Sequence, residues 1–259
     1  MVNHAGMRLG KLPPRPEPRL KTLGAYLKGP RPAVPASIDR AACVAAWPML
    51  YNDAVGDCTI AAVGHAVQLW TAVARHEERT MSAAEALAAY SAISGYVAGE
   101  PDTDHGAVAV DVLERWVAGG FTIAAATDQL AGFCAIALAR PDEVRAAVAW
   151  LGVCYSGLEL PIAVQTEDVW DVSPVAGSSG ESSDDWAPGS WGGHCVPIVG
   201  YDPDGLVCIT WGQTKRLTWR FWNAYASEAY GLLSRDFAGD AVDWARLQTD
   251  MALLRSEVA

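Results

Sequence analysis

No run in this chain of 259 residues reaches the roughly 18 apolar residues that a membrane-crossing helix needs. The first residues, with Arg8, Lys11 and repeated prolines, lack the apolar stretch of a signal peptide, so the cytoplasm is the expected location. None of the six cysteines, at 43, 58, 134, 154, 195 and 208, stands in a Cys-x-x-Cys pair. A structural zinc site wants close ligand pairs, so neither a metal nor a cofactor is expected. No repeat of useful period occurs, and positive charge is scarce beyond residue 34. Residues 1–34 hold seven Lys/Arg against the single acid Glu17, a net of +6. The remainder holds twelve Lys/Arg against twenty-nine acids, a net of −17. Such an acidic body argues against nucleic acid as a partner.

What is present is a globular composition: 51% hydrophobic residues and a mean hydropathy of +0.11. The length suffices for a sizeable core, in one domain or two closely packed lobes. Residues 1–34 read as an extended basic arm, because Pro13, Pro14, Pro16, Pro18, Pro30 and Pro32 forbid a long helix. One short helical turn fits residues 20–27. The arm most simply lies along the acidic body; a flexible tail is the alternative.

Two stretches carry chemistry. In the first, the turn signal Gly56-Asp57 runs into a helical pattern with apolar residues at Ile60, Val63, Val67 and Trp70. Asp57 suits an N-cap and would set Cys58 in the first turn. There the helix dipole and the free backbone N–H groups favour the nucleophilic thiolate. In the second, Gly192-Gly193 delivers His194 onto an apolar run that reads as a buried strand. After a turn at residues 202–205, a second strand ends on Thr210, Trp211 and Gly212. A lone His on such a strand is more often a satisfied core residue, and a lone Cys more often a buried one; the pairing of the two stretches is the signal. His65, one helix face along but about 10 Å up the axis, is too far from Cys58 for direct proton transfer. His4 and His76 read as solvated surface residues.

The order of these motifs resembles the papain-like cysteine peptidases. That family has an oxyanion Gln shortly before the Cys that opens its long helix, then a Gly-His strand and an Asn-Ser-Trp-Gly strand. Here Asn52 stands six residues before Cys58, Gly193-His194 and Val199-Gly200-Tyr201 match the histidine strand, and Trp211-Gly212 matches the last motif. Pro35 to Asp39 looks like the start of the mature domain, Met81 to Leu87 like the second helix, and Asp104-His105-Gly106 like the Gly-rich turn before the third. The likeness covers about residues 35 to 237, as a divergent bacterial or phage-type member. It departs twice: Asn52 replaces Gln, and no Asn follows to orient the histidine. Ile209 or Thr210 stands at that place, depending on where the strand is aligned, with Gln213 a further candidate. Only Thr210 and Gln213 have polar groups to offer.

The resemblance implies an α+β fold in which a helical lobe (about 52–120) packs against a strand-rich lobe (about 121–237). A terminal helix near 239–257 completes a domain of residues 35–259. Helices are expected at 58–76, 82–93, 108–118, 141–151 and near 219–226. Strands are expected at 133–138, 152–164, the hairpin 194–212 and near 230–233. The resemblance implies a thiol hydrolase in which Cys58 attacks a peptide or amide carbonyl and His194 forms the ion pair. Asn52 and the Cys58 N–H would hold the oxyanion, Thr210 would orient His194, and Trp211 would shield it. Gly193, Trp186 in the long loop 173–190, and His105 would line the substrate cleft. An acyl transferase or isopeptidase on the same fold, or a non-catalytic binding module, are the rival readings.

Overall fold

In the computed structural model, residues 4, 6–27, 33–172, 183–237 and 242–255 are described. In chain order these form β1 (Ile38–Asp39), α1 (Cys58–Arg75), α2 (Ala83–Ser94), α3 (Ala109–Gly119), β2 (Phe121–Ile123), β3 (Ala126–Asp128), β4 (Gly132–Ala135) and α4 (Pro141–Leu151). There follow β5 (Cys154–Leu160), β6 (Val169–Trp170), β7 (Gly192–Tyr201), β8 (Gly205–Thr210), β9 (Gln213–Thr218), α5 (Trp219–Tyr225), β10 (Ala226–Leu233) and α6 (Trp244–Arg255). The fold is α+β. One sheet runs β4-β10-β5-β7-β8-β9-β6, with β1 added on β7; β2 and β3 form a separate hairpin.

α1 is the buried axis of the helical side. All its residues from Cys58 to Thr71 are buried, and it ends where His76 takes a left-handed conformation. Its first turn is tied to the sheet by the Tyr155 hydroxyl, which donates to the Thr59 carbonyl at 2.9 Å. Its far end is tied by Trp70, whose indole N–H reaches the Leu151 carbonyl at 2.8 Å and whose ring stacks on Trp116. α2 starts on a capping box in which Ser82 and Glu85 satisfy each other's backbone N–H groups. α4 opens with Pro141 and the acids Asp142 and Glu143, which suits the positive end of a helix.

Most expected elements appear, with shifted ends. The strand expected at 133–138 is β4, at 132–135, because residues beyond Ala135 turn toward α4. The strand expected at 152–164 stops at Leu160 before Pro161 and a 3-10 turn at Ile162–Val164. The last strand is longer than 230–233 and begins at Ala226. β6 and β9 carry no strong pattern of their own and were not expected. The short turn in the arm is a 3-10 helix at Leu23–Tyr26. Of the expected loop 173–190, residues 173–182 lie outside the described residues, as do 239–241 and 256–257 of the terminal helix.

Gly64 marks a close approach between α1 and its neighbours. A Cβ there would lie 2.8 Å from Leu50 Cδ1 and 3.2 Å from Met81 Cβ. Gly64→Ala gains about 1 kcal/mol of helix propensity but overpacks at a cost of about 1–3 kcal/mol. A net loss of stability is expected in urea unfolding; a gain would show that the helix has room at this point.

Candidate active site

Cys58 opens α1 and is buried. Its thiol faces the backbone N–H of Cys195, the residue after His194. His194 is fully buried near the start of β7, opposite Leu158 of β5. Its Nε2 lies 2.7 Å from Thr210 Oγ1 at the end of β8, and its Nδ1 has no hydrogen-bond partner among the described residues. With Nε2–H donating to the Thr210 hydroxyl, the Nδ1 lone pair is the basic site of the ring. Ile209, the competing position, is buried and pairs with Thr214. Alternation along β8 sends it to the opposite face from Thr210. Gln213 pairs with Thr210 across the turn into β9.

Trp211 covers the imidazole. The two rings stack at 4.5 Å between centroids and 18° between planes. Trp211 has φ of +46° and Gly212 +70°, so the backbone reverses at once and sets the indole over the strand end. His4 also stacks on Trp211, at 4.9 Å between centroids. His4 is therefore not a solvated residue. It is fully buried, both ring nitrogens lack partners among the described residues, and burial, then the Lys215 charge, lowers its pKa.

Asn52 lies buried in the turn before α1, its amide Nδ2 at a long 3.4 Å from the Val55 carbonyl. Asp57 occupies the N-cap position but makes no capping hydrogen bond, contrary to expectation. Its ψ of 18° holds it near the helical region rather than in the extended form that a capping side chain needs. Burial pushes its carboxyl well above the usual range, and the nearby Asn52 amide only tempers this. The Asp104 carboxylate secures the turn just before the N-cap, accepting from the Gly56 N–H at 3.0 Å and from the Tyr90 hydroxyl. His105 is exposed on the Gly-rich turn. Trp186 is half-buried, and its carbonyl accepts from the Tyr225 hydroxyl. His65 is buried, with Nε2 2.9 Å from the Pro48 carbonyl, and burial lowers its pKa to about 4.

The arm occupies the cleft. Lys11 N–H donates to the Gly193 carbonyl at 3.0 Å on one wall. On the other wall, Leu12 N–H donates to the Ala107 carbonyl at 3.0 Å, and Ala107 N–H to the Gly10 carbonyl at 2.8 Å. Upstream, the Trp211 indole N–H reaches the Arg8 carbonyl at 3.3 Å. A Cβ on Gly10 would fall 1.8 Å from the Gly56 carbonyl oxygen, so only glycine lets the arm reach the floor next to Cys58. Gly106 and Gly193 are similarly pressed by the carbonyls of Gly10 and Lys11, at 2.2 and 2.1 Å from a built Cβ. The arm thus lies on the acidic body, held also by Arg15 on Asp111 and Glu114 and by Lys21 on Asp250.

This cover reverses the electrostatics expected of Cys58. Burial pushes the thiol up to about 11, against the pull of the Cys195 and Gly10 backbone N–H groups. Burial, then the charge of His4, lowers His194 to about 3. Desolvation outweighs the helix start, and burial pushes both groups toward their neutral forms.

No family model matches the sequence, and no curated protein matches it. Solved structures do. One is xylellain, a cysteine protease from Xylella fastidiosa, with a TM-score of 0.64 at 14% identity, covering 90% of this chain and 98% of that one. Another is the digestive procathepsin L 3 of Tenebrio molitor, with a TM-score of 0.54 at 14% identity, covering 89% and 77%. The cysteine protease and lectin-like domains of Cwp84 from Clostridium difficile give 0.58 at 11% identity, covering 89% of this chain and 56% of that one. The chain has the papain-like fold. Within the papain-like fold, α1 is the helix that opens on Cys58, and β7 and β8 supply His194 and Thr210. Among the described residues no helix is long and apolar enough to cross a membrane.

Gly10→Ala forces the arm off the Gly56 carbonyl. Iodoacetamide alkylation of Cys58 at pH 8, followed by peptide mass mapping, should then be at least roughly tenfold faster than in the parent, where a thiol so far raised is almost wholly protonated. An unchanged rate would mean that the arm does not limit access to the thiol.

Proposed function

We propose that the protein is a thiol-dependent hydrolase of peptide or amide bonds that works on a peptide or protein substrate, without a metal or cofactor. The observation that carries this reading is the meeting of a helix start with a strand start. The thiol at the start of α1 abuts the backbone beside His194, and His194 lies between Thr210 and Trp211 with Nδ1 unpartnered among the described residues.

The chemistry belongs to the state in which the arm has left. Water then relieves the desolvation that holds the thiol up and the imidazole down, and their pKa values move toward each other. His194 takes the thiol proton as Cys58 Sγ bonds to the carbonyl carbon. The Cys58 N–H and the Asn52 amide, swung from Val55, donate to the oxyanion. The C–N bond breaks, the amine leaves with the proton from His194, and a thioester remains. Water, deprotonated by His194, attacks the thioester and releases the acid and the free thiol. Thr210 is a positioning residue: its hydroxyl fixes the tautomer but stabilises an imidazolium less than a charged partner does. An amine in place of water would make the same intermediate that of an acyl transferase or isopeptidase. A non-catalytic papain-fold module is the second reading, favoured by the neutral, covered pair and by the absence of an Asn opposite His194.

In the Gly10→Ala chain, one equivalent of a thiol-reactive epoxide should label Cys58 selectively, and His194→Ala should abolish the labelling. Label on the exposed Cys43 instead, or labelling indifferent to His194→Ala, would sink the hydrolase reading. Casein hydrolysis by the same chain should fall roughly tenfold or more, about 1.4 kcal/mol, in Thr210→Val. It should fall about 10²–10³-fold in Asn52→Ala with epoxide labelling retained. Loss of labelling with Asn52→Ala would make Asn52 structural.

A further inference from the structure

Lys11 makes a contact that holding an arm in place does not require. Its ammonium group has no exposure to solvent, and it lies 2.9 Å from Glu159 Oε1 and 3.2 Å from Glu228 Oε1. It also reaches the Leu12 carbonyl at 3.1 Å. Glu228 is itself buried, and its second oxygen accepts from the Tyr230 hydroxyl at 2.7 Å. Glu159 is partly open to solvent.

The strands are shaped to make this pocket. The pairing of β10 with β5 slips between Ala226 and Glu228, so Ser227 is the extra residue of a bulge, and Glu228 faces Gly157. Bulges of this kind re-aim a side chain and occur beside active sites. Gly157 leaves the room that the lysine stem fills: a Cβ there would lie 2.6 Å from Lys11 Cδ and 2.7 Å from Glu228 Cγ. Gly157 pairs in turn with Cys195 of β7, whose backbone faces the Cys58 thiol. Glu228, Gly157 and Cys195 thus form one row across three strands that ends at the thiol.

From this row we infer that the pocket of Gly157, Glu159, Glu228 and Tyr230 is a subsite for a basic side chain, and that the ligands of this cleft are peptides carrying lysine or arginine at that point. Lys11 fills the subsite in the resting chain and competes with them. A neutral side chain of the same length leaves Glu228 buried without its cation, so the pocket rejects it by leaving a charge unpaired as well as by losing an attraction. A guanidinium would also serve, since its fork can meet two carboxylates at once. This inference rests on the reading of Cys58 as the reacting thiol of the cleft, but its test reads binding and not turnover.

The test uses the full chain carrying Lys11→Ala, which empties the pocket. The peptide acetyl-Leu-Gly-Lys-Leu-amide, a copy of arm residues 9–12, and its norleucine counterpart are titrated as protectants of Cys58 against iodoacetamide. The lysine peptide should protect at a concentration at least roughly tenfold lower, the discrimination expected when a site's buried polar group is left unpaired. Glu228→Gln in the same chain should erase that difference. Equal potency of the two peptides, a preference that survives Glu228→Gln, or no protection by either would overturn the inference. Should Lys11→Ala fail to fold, Gly10→Ala carries the same comparison. Selective protection without hydrolysis of any peptide would sink the hydrolase and leave the pocket; hydrolysis with no basic preference would do the reverse.

Discussion

Everything at the centre of this molecule depends on how close two backbones can come. Gly10 rests on the carbonyl of Gly56, and the carbonyls of Gly10 and Lys11 press on Gly106 and Gly193. A side chain at any of these four positions would hold the arm away from the floor of the cleft. Because none is there, the arm excludes water from Cys58 and His194, and the two lose the charges that their positions would otherwise favour. Burial wins over the helix dipole because removing a charge from water costs several kcal/mol, whereas the end of a helix returns about 1 kcal/mol.

The same arm is held by groups of different character along its length. Near its start, aromatic stacking of His4 on Trp211 and one hydrogen bond from Trp211 to the Arg8 carbonyl secure it. In the cleft, three backbone hydrogen bonds and a buried ion pair do so. Beyond the cleft, partly exposed ion pairs from Arg15 and Lys21 follow, each worth about 0–1 kcal/mol. The middle segment is thus where binding is concentrated, and its chemistry is that of a peptide laid between the edge of β7 and the turn before α3.

The helices, the hairpin and the places of Cys58 at a helix start and of His194 near a strand start were legible because they rest on local patterns: a 3.6-residue period, a glycine pair, a turn. Thr210 was half legible. Spacing allowed it or Ile209, and the choice hung on the turn at 202–205. There Asp202 accepts from the backbone N–H groups of Asp204 and Gly205, and no residue drops out of the count. The charge imbalance made it legible that the arm lies on the acidic body; its course through the cleft was not, since Lys11 and Glu228 stand 217 residues apart in the chain and no period connects them. His4 looked like a surface residue for the same reason. The state of the Cys58 thiol was misjudged because its position on the helix is written locally, while its burial is supplied by Gly10 from elsewhere. β6 escaped because it is only two residues long, and β9 because its run of Gln, Thr, Lys and Arg is too polar to show an apolar face of its own.

The tether between arm and body has one more consequence. A ligand carried on the same chain meets its site at an effective concentration set by the covalent connection, whatever the concentration of the protein. Diluting the protein therefore does not open the cleft, and crowding it does not close it. Opening is a first-order event, and any free peptide must contend with a rival that never diffuses away.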